Sequence, residues 1–104
     1  MIVEERVYTL HVGKMNAYLQ LYESQGLPIA LEELGNLIGY FKSEIGHLNQ
    51  VVHLWGFEDL NDRTQRRAKL GGREDWRNYA SQSGTYIQQQ ETRILIPTSF
   101  SPIR

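Results

Sequence analysis

The chain predicts an α+β domain of order β-α-β-β-α-β, built around a four-stranded antiparallel sheet, and three observations lead there. Apolar residues alternate with the period of a strand near the start, in the middle and near the end, over residues 3–12, 37–57 and 85–100. Between them the spacing becomes helical, with Met15, Tyr18, Leu19 and Tyr22 in one segment and Trp76, Tyr79, Ala80 and Ser83 in another. Glycines at 13, 35, 71 and 72 punctuate the changes of period. At 104 residues this is a single domain, residues 1–104, with no repeat and no linker.

The first strand is VEERVYTLHV, residues 3–12, in which Arg6, Tyr8 and Leu10 share a face. The helix that follows Lys14 meets Gly26-Leu27-Pro28. Pro28 has no N–H for an interior bond, so the helix kinks or restarts there and runs through Ile29, Ala30 and Leu34 to Gly35. Residues 39–55, GYFKSEIGHLNQVVHLW, form a hairpin. A turn centred on His47-Leu48 sets Tyr40 opposite Trp55, Lys42 opposite His53 and Glu44 opposite Val51 on one face, with Phe41 opposite Leu54 and Ser43 opposite Val52 on the other. Glu58-Asp59 caps a helix that reads through Leu60, Thr64 and Arg67 to Gly71-Gly72 on a thin apolar stripe. A further helical segment carries Trp76 and Tyr79, and the last strand lies within TYIQQQETRILIPTSF, residues 85–100.

This order is the split βαβ, ferredoxin-like arrangement, which leaves one sheet face without helices. The hairpin alternation puts Phe41, Val52 and Leu54 under the helices. Tyr40, Lys42, Glu44, His53 and Trp55 then fall on the open face, with Val51, Tyr8 and Leu10. Such a face is too apolar to stay wet, so the expectation is a sheet-to-sheet homodimer burying on the order of 800 Å² per partner. The last strand extends past its neighbours through Ile94-Leu95-Ile96 and can lap onto the partner.

Arg6, Tyr8, Thr9 and Leu10 before Gly13-Lys14, then Gly39, Phe41, Glu44, Gly46, Leu48-Asn49, the run Val51-Val52-His53-Leu54-Trp55, and finally Asp59-Leu60 and Arg63 carry a family resemblance. Together they resemble the NIPSNAP domain of the dimeric α/β-barrel, ferredoxin-like superfamily. The match runs nearly end to end, and LNQVVHLW is a fairly specific string within it. The resemblance implies a dimeric α/β barrel. By similarity to the cofactor-free monooxygenases of that superfamily, it also implies binding of, or action on, a small aromatic or acyl molecule without a cofactor. The family's links to vesicle and mitochondrial quality-control processes imply the rival role of a non-enzymatic protein-interaction module.

Composition narrows the field. Eleven basic and twelve acidic residues give a formal charge of −1, so no whole-molecule field draws nucleic acid or an anionic membrane. The absence of cysteine removes disulfides, thiol nucleophiles and thiolate metal sites, and fits a reducing compartment. With Glu-Glu-Arg at positions 4–6 and no eighteen-residue apolar run, the expectation is a cytoplasmic protein without membrane insertion. There is no Walker loop, no G-x-S-x-G elbow and no G-x-G-x-x-G.

Among individual residues, His53 is the candidate acid or base, with Tyr8, Tyr40 and Trp55 shaping a pocket and Arg6 steadying an anionic oxygen. The plainer reading packs His53 against the partner, bonded to Glu44 or a backbone carbonyl. Arg6, Lys42 and Glu44 converge across neighbouring strands either as an anchor for a carboxylate or enolate, or as an interface ion network. His11 and His47 do not stand at ligand spacing from His53, so no metal centre is expected. Arg63, Arg66, Arg67, Lys69, Arg73 and Arg77 interleave with Glu58, Asp59, Asp62, Glu74 and Asp75 and read as a solvated helix face. Trp76 and Tyr79 read as core or interface, and Asn49 as a turn residue.

Overall fold

The computed structural model describes residues 1–104. In chain order the elements are β1 (Ile2–Leu10), α1 (Met15–Leu21), a π turn (Tyr22–Gly26), α2 (Leu27–Leu34), β2 (Asn36–Lys42), β3 (Gln50–Phe57), α3 (Leu60–Gly71), α4 (Glu74–Ser83), a 3-10 turn (Gly84–Tyr86) and β4 (Ile87–Leu95). The strands lie in the order β2-β3-β1-β4, every pair antiparallel, which is the predicted ferredoxin-like topology. The predicted helix signals act locally. Asp59 accepts from the Asp62 N–H at 2.8 Å and caps α3, while Gly35, at φ 82°, ends α2 where a side chain would be strained.

The long helix keeps helical backbone through its proline. Pro28 enters at the first turn of α2, and the turn before it widens so that the Leu27 N–H bonds the Tyr22 carbonyl, one residue further back than in an α-helix. Ser24 Oγ also donates to the Gln20 carbonyl at 2.9 Å, a back-bond that favours bending at the same place. Tyr18, Tyr22, Gly26, Ala30 and Leu34 are the buried residues of this helix. Gly26 is required by packing, because a Cβ there would lie 2.6 Å from Cζ of the Tyr79 ring on α4.

Two expectations for the hairpin are corrected. First, the covered face is the aromatic one. Three rows of side chains share the face the helices cover: Tyr40, His53, Arg6 and Thr92; Leu37, Trp55, Glu4 and Ile94; Lys42, Val51, Tyr8 and Gln90, with Lys42 and the β4 residues exposed at its margins. Phe41, Val52 and Leu54 fall on the open face beside Val7 and Leu95, and Phe41 is exposed. Alternation separates two sets of residues without saying which set the helices cover. Here the helices contribute Tyr18, Tyr22, Trp76 and Tyr79, which pack on the aromatic set. Trp55 and Val51 are therefore core residues, 1% and 0% exposed, and no part of an open seam.

Second, Tyr40 pairs with His53, Lys42 with Val51 and Phe41 with Val52, two residues away from the predicted register. A slip of two preserves the faces, which is why the two sets stay segregated. The connection is not a two-residue turn at His47-Leu48 but the seven residues 43–49, with Gly46 and Asn49 in left-handed conformation at φ 108° and 64°. Ile38 adds a bulge between Leu37 and Gly39. Glu44 consequently has no strand partner and lies exposed in the loop, and Lys42 is exposed at the end of β2.

Two buried clusters fill the space under the helices. Leu10, Tyr18, Tyr22, Val51 and Tyr79 form one, and Ala30, Leu34, Trp55, Phe57 and Leu70 the other. Between them lies a cavity.

Candidate functional site

One wall of the cavity is organised by a carboxylate. Glu4 is 0% exposed and points from β1 toward α3. Its Oε1 accepts from Arg67 Nε and Nη2 at 3.1 and 2.7 Å. Its Oε2 accepts from Arg63 Nε and Nη2 at 2.9 and 2.6 Å, from Arg6 Nη1 at 3.3 Å and from Thr92 Oγ1 at 3.0 Å. Burial pushes the Glu4 pKa up, but the Arg63 hydrogen bonds and the charges of Arg67 and Arg6 outweigh it and hold the group at about 2. The carboxylate is ionised throughout the neutral range.

This arrangement corrects the reading of the α3 charges as a solvated face. Arg63 and Arg67, one turn apart, aim at the sheet. The interleaved-charge picture fits the others better: Arg66 bonds Asp62 at 2.8 Å and the Glu33 carbonyl at 3.1 Å, and Arg73 bridges Glu32 and Asp75 near the surface. Sequence reasoning missed Glu4 and Arg67 as site residues. The available signal was the thin apolar stripe of α3, which reflects guanidinium groups standing at inward-facing positions.

Beside this wall stands His53, 3% exposed. Trp55 Nε1–H donates to its Nδ1 at 2.8 Å, Tyr40 stacks on its ring at 4.4 Å and 17°, and Tyr8 meets it edge-on at 4.9 Å. No protein acceptor is within hydrogen-bond reach of Nε2. Burial pushes the imidazole pKa down, the charges of Arg6 and Arg67 push it further, and Glu4 opposes them, leaving it at about 3. The ring is neutral near pH 7. Since an indole can only donate, Nδ1 accepts and the single imidazole proton resides on Nε2.

The cavity has a volume of about 220 Å³. Arg6, Tyr8, His53 and Trp55, all anticipated as site residues, line it together with Arg67, Gln90, Ser83 and an apolar side made by Tyr22, Ala30, Leu34, Trp76 and Tyr79. Tyr40 stands one layer back, stacked on His53 and hydrogen-bonded to Tyr18 through the two hydroxyls at 2.7 Å. Lys42 and Glu44 do not join the site, so the expected convergence of Arg6, Lys42 and Glu44 does not occur. Arg6 bonds Tyr8 Oη at 2.9 Å and Glu4 instead. No three His, Asp or Glu side chains stand together as metal ligands would, and no helix is long and apolar enough to cross a membrane.

Comparison with known proteins agrees with this architecture. The sequence matches the NIPSNAP family over residues 3–102. It is 33% identical to human NipSnap homolog 2 over 104 residues, covering 99% of this chain and 35% of the human protein, so the chain spans about a third of that relative's length. A NIPSNAP family protein from Agrobacterium tumefaciens superimposes with a TM-score of 0.97 at 48% identity, over 99% of this chain and 98% of that one. An antibiotic biosynthesis monooxygenase has a similar fold at only 9% identity, with a TM-score of 0.65 over 94% of this chain and 99% of that one. With sequence and fold both matched nearly from end to end, the chain belongs to the NIPSNAP family.

Proposed function

We propose that the protein binds a small aromatic or acyl molecule in the cavity between sheet and helices, and acts on it with protein groups alone, as cofactor-free monooxygenases of this superfold do. The observation that carries the proposal is the Nε2–H of His53, a buried donor without a protein acceptor at the edge of a cavity. Buried polar groups are almost always paired, so an isolated donor beside a cavity is a place for a ligand oxygen. The expected role of His53 narrows accordingly. A neutral imidazole with Nδ1 engaged by Trp55 polarises a carbonyl or steadies a developing oxyanion, and does not take up a proton at Nε2.

The proposal includes a cytoplasmic homodimer joined through the open face. The apolar row of Phe41, Val52 and Val7 and the half-buried Leu54 on that face support the dimer, and the lack of cysteine fits the compartment.

Native mass spectrometry of protein purified without added ligand should detect a retained small molecule. Adding that molecule to delipidated, ligand-stripped protein should shift the His53 Nε2–H proton resonance downfield. A bound molecule that leaves this resonance unmoved would overturn the role of His53. Protein that retains nothing and binds no small aromatic or acyl compound would favour the interaction-module reading.

A further inference from the structure

We infer that the ligand of this cavity is a small monocarboxylate, anchored by the unused guanidinium edges of Arg6 and Arg67 while buried Glu4 fixes both side chains. The inference rests on the ligand-binding reading above and adds the chemical class.

Counting donors against acceptors leads there. Arg67 gives Nε and Nη2 to Glu4 and its Nη1 makes no bond; Arg6 gives Nε to Tyr8 and Nη1 to Glu4, and its Nη2 makes none. Glu4 is saturated, with two hydrogen bonds on one oxygen and four on the other. Three guanidinium groups surround one carboxylate, a surplus of two positive charges in a protein whose net charge is −1. No carboxylate lines the cavity to offset that surplus, although Arg6 and Arg67 both do. His53, buried independently on β3, adds a third unused donor through Nε2–H. These three unused groups all donate, so the ligand end that meets them accepts, and the surplus charge makes an anion the better acceptor. A planar fork of guanidinium donors suits a carboxylate in particular.

Size and lining set the rest of the molecule. A cavity of roughly 150 Å³ holds a benzene ring, so about 220 Å³ leaves room for one ring, or a short acyl chain, plus a carboxylate. Leu34, Trp76 and Tyr79 give the lining an apolar and aromatic portion suited to that ring or chain.

Calorimetric titration of the wild-type protein with benzoate and with its neutral isostere benzamide tests the class directly. Benzoate should bind more tightly by on the order of tenfold or more, as a charge-assisted pair requires. In Arg67→Lys, which keeps the charge but not the fork, that preference should narrow, with benzoate losing more affinity than benzamide. Equal affinity for the two probes would overturn the carboxylate inference and leave the cavity reading standing. Binding of neither probe would overturn both. An Arg67→Lys protein with a wild-type amide spectrum and an undiminished preference would overturn the anchoring role of Arg67; the wild-type comparison does not depend on that variant folding.

Discussion

Trp55 Nε1 and His53 Nδ1 are hydrogen-bonded at 2.8 Å, between side chains two residues apart on the covered face of β3. Strand geometry alone puts them there, since residues i and i+2 share a face. The indole thereby fixes which imidazole nitrogen carries the proton, and Nε2, in a ring that lines the cavity, remains a buried donor without a protein partner.

The same burial makes folding sensitive to acid. The unfolded chain protonates His53 near 6.5 and the folded protein only at about 3, so the unfolded state binds more protons between those values. Stability should therefore fall as pH drops through that window, by up to about 1.4 kcal/mol per pH unit from this group. Glu4, lowered from 4.5 to about 2, acts in the same direction but only below 4.5. Urea unfolding at pH 6.5, 5.5 and 4.5 should show the decline in wild type and a flatter profile in His53→Gln. Identical profiles for the two proteins would sink the assignment.

Glu4→Gln keeps the shape of the site and removes its only carboxylate. Arg6, Arg63 and Arg67 would then share a partly buried wall without a counter-charge, at a cost of about 3–5 kcal/mol in equilibrium denaturation. Arg73→Gln, which breaks exposed pairs with Glu32 and Asp75, serves as the control and should change little. Similar losses from both substitutions would argue against a special role for Glu4.

Gly26→Ala pits propensity against packing. In an open helix the change gains roughly 1 kcal/mol. Here the new Cβ would sit 2.6 Å from the ring of Tyr79, which is 4% exposed and held by Tyr22 and Trp76, so the net effect should be a loss of about 1–3 kcal/mol. In a Tyr79→Leu background the penalty should shrink markedly, and additive effects in the double-mutant cycle would contradict the contact.

The proposed dimer is best tested at Leu54, since Trp55 lies under the helices and its substitution would unfold the subunit instead of splitting a pair. Leu54→Lys puts a charge on the open face and should cost the seam several kcal/mol, giving a folded monomer by analytical ultracentrifugation. A wild-type protein that sediments as a monomer at micromolar concentration would end the proposal.

The order of elements was legible because each carries its own period and its own stop signal, as Gly35 and the Asp59 cap illustrate. The orientation of the sheet was not. Alternation along β3 puts His53 with Trp55 and Val52 with Leu54 whichever face is covered; only the chemistry of the helices, with Tyr18, Tyr22 and Tyr79 in place of a Leu/Ile stripe, distinguishes the two. The register depended on a loop whose length Gly46 and Asn49 set through positive φ, together with a bulge at Ile38 that no single residue announces. Arg6, Tyr8, His53 and Trp55 were recognisable as neighbours on one sheet face by strand parity, and they line one cavity. Glu4 and Arg67 meet across 63 positions, and nothing local in the chain couples them.

The π turn at Tyr22–Gly26 fixes a phase. Tyr18, Tyr22, Gly26, Ala30 and Leu34 recur every fourth residue, whereas an α-helix completes a turn in 3.6, so a uniform helix would rotate each successive member about 40° off the last. Slower winding through the widened turn takes back part of that drift and returns Ala30 and Leu34 toward Trp55 and Phe57. Deleting one residue from this turn would let the helix close every backbone bond in the α pattern with little change of phase beyond it, whereas adding one residue in α geometry would swing everything downstream by about 100°. Helical backbone would survive either change, but only the addition would leave the roof of the cavity facing the wrong way, so this helix can lose a residue at Tyr22–Gly26 more readily than it can gain one.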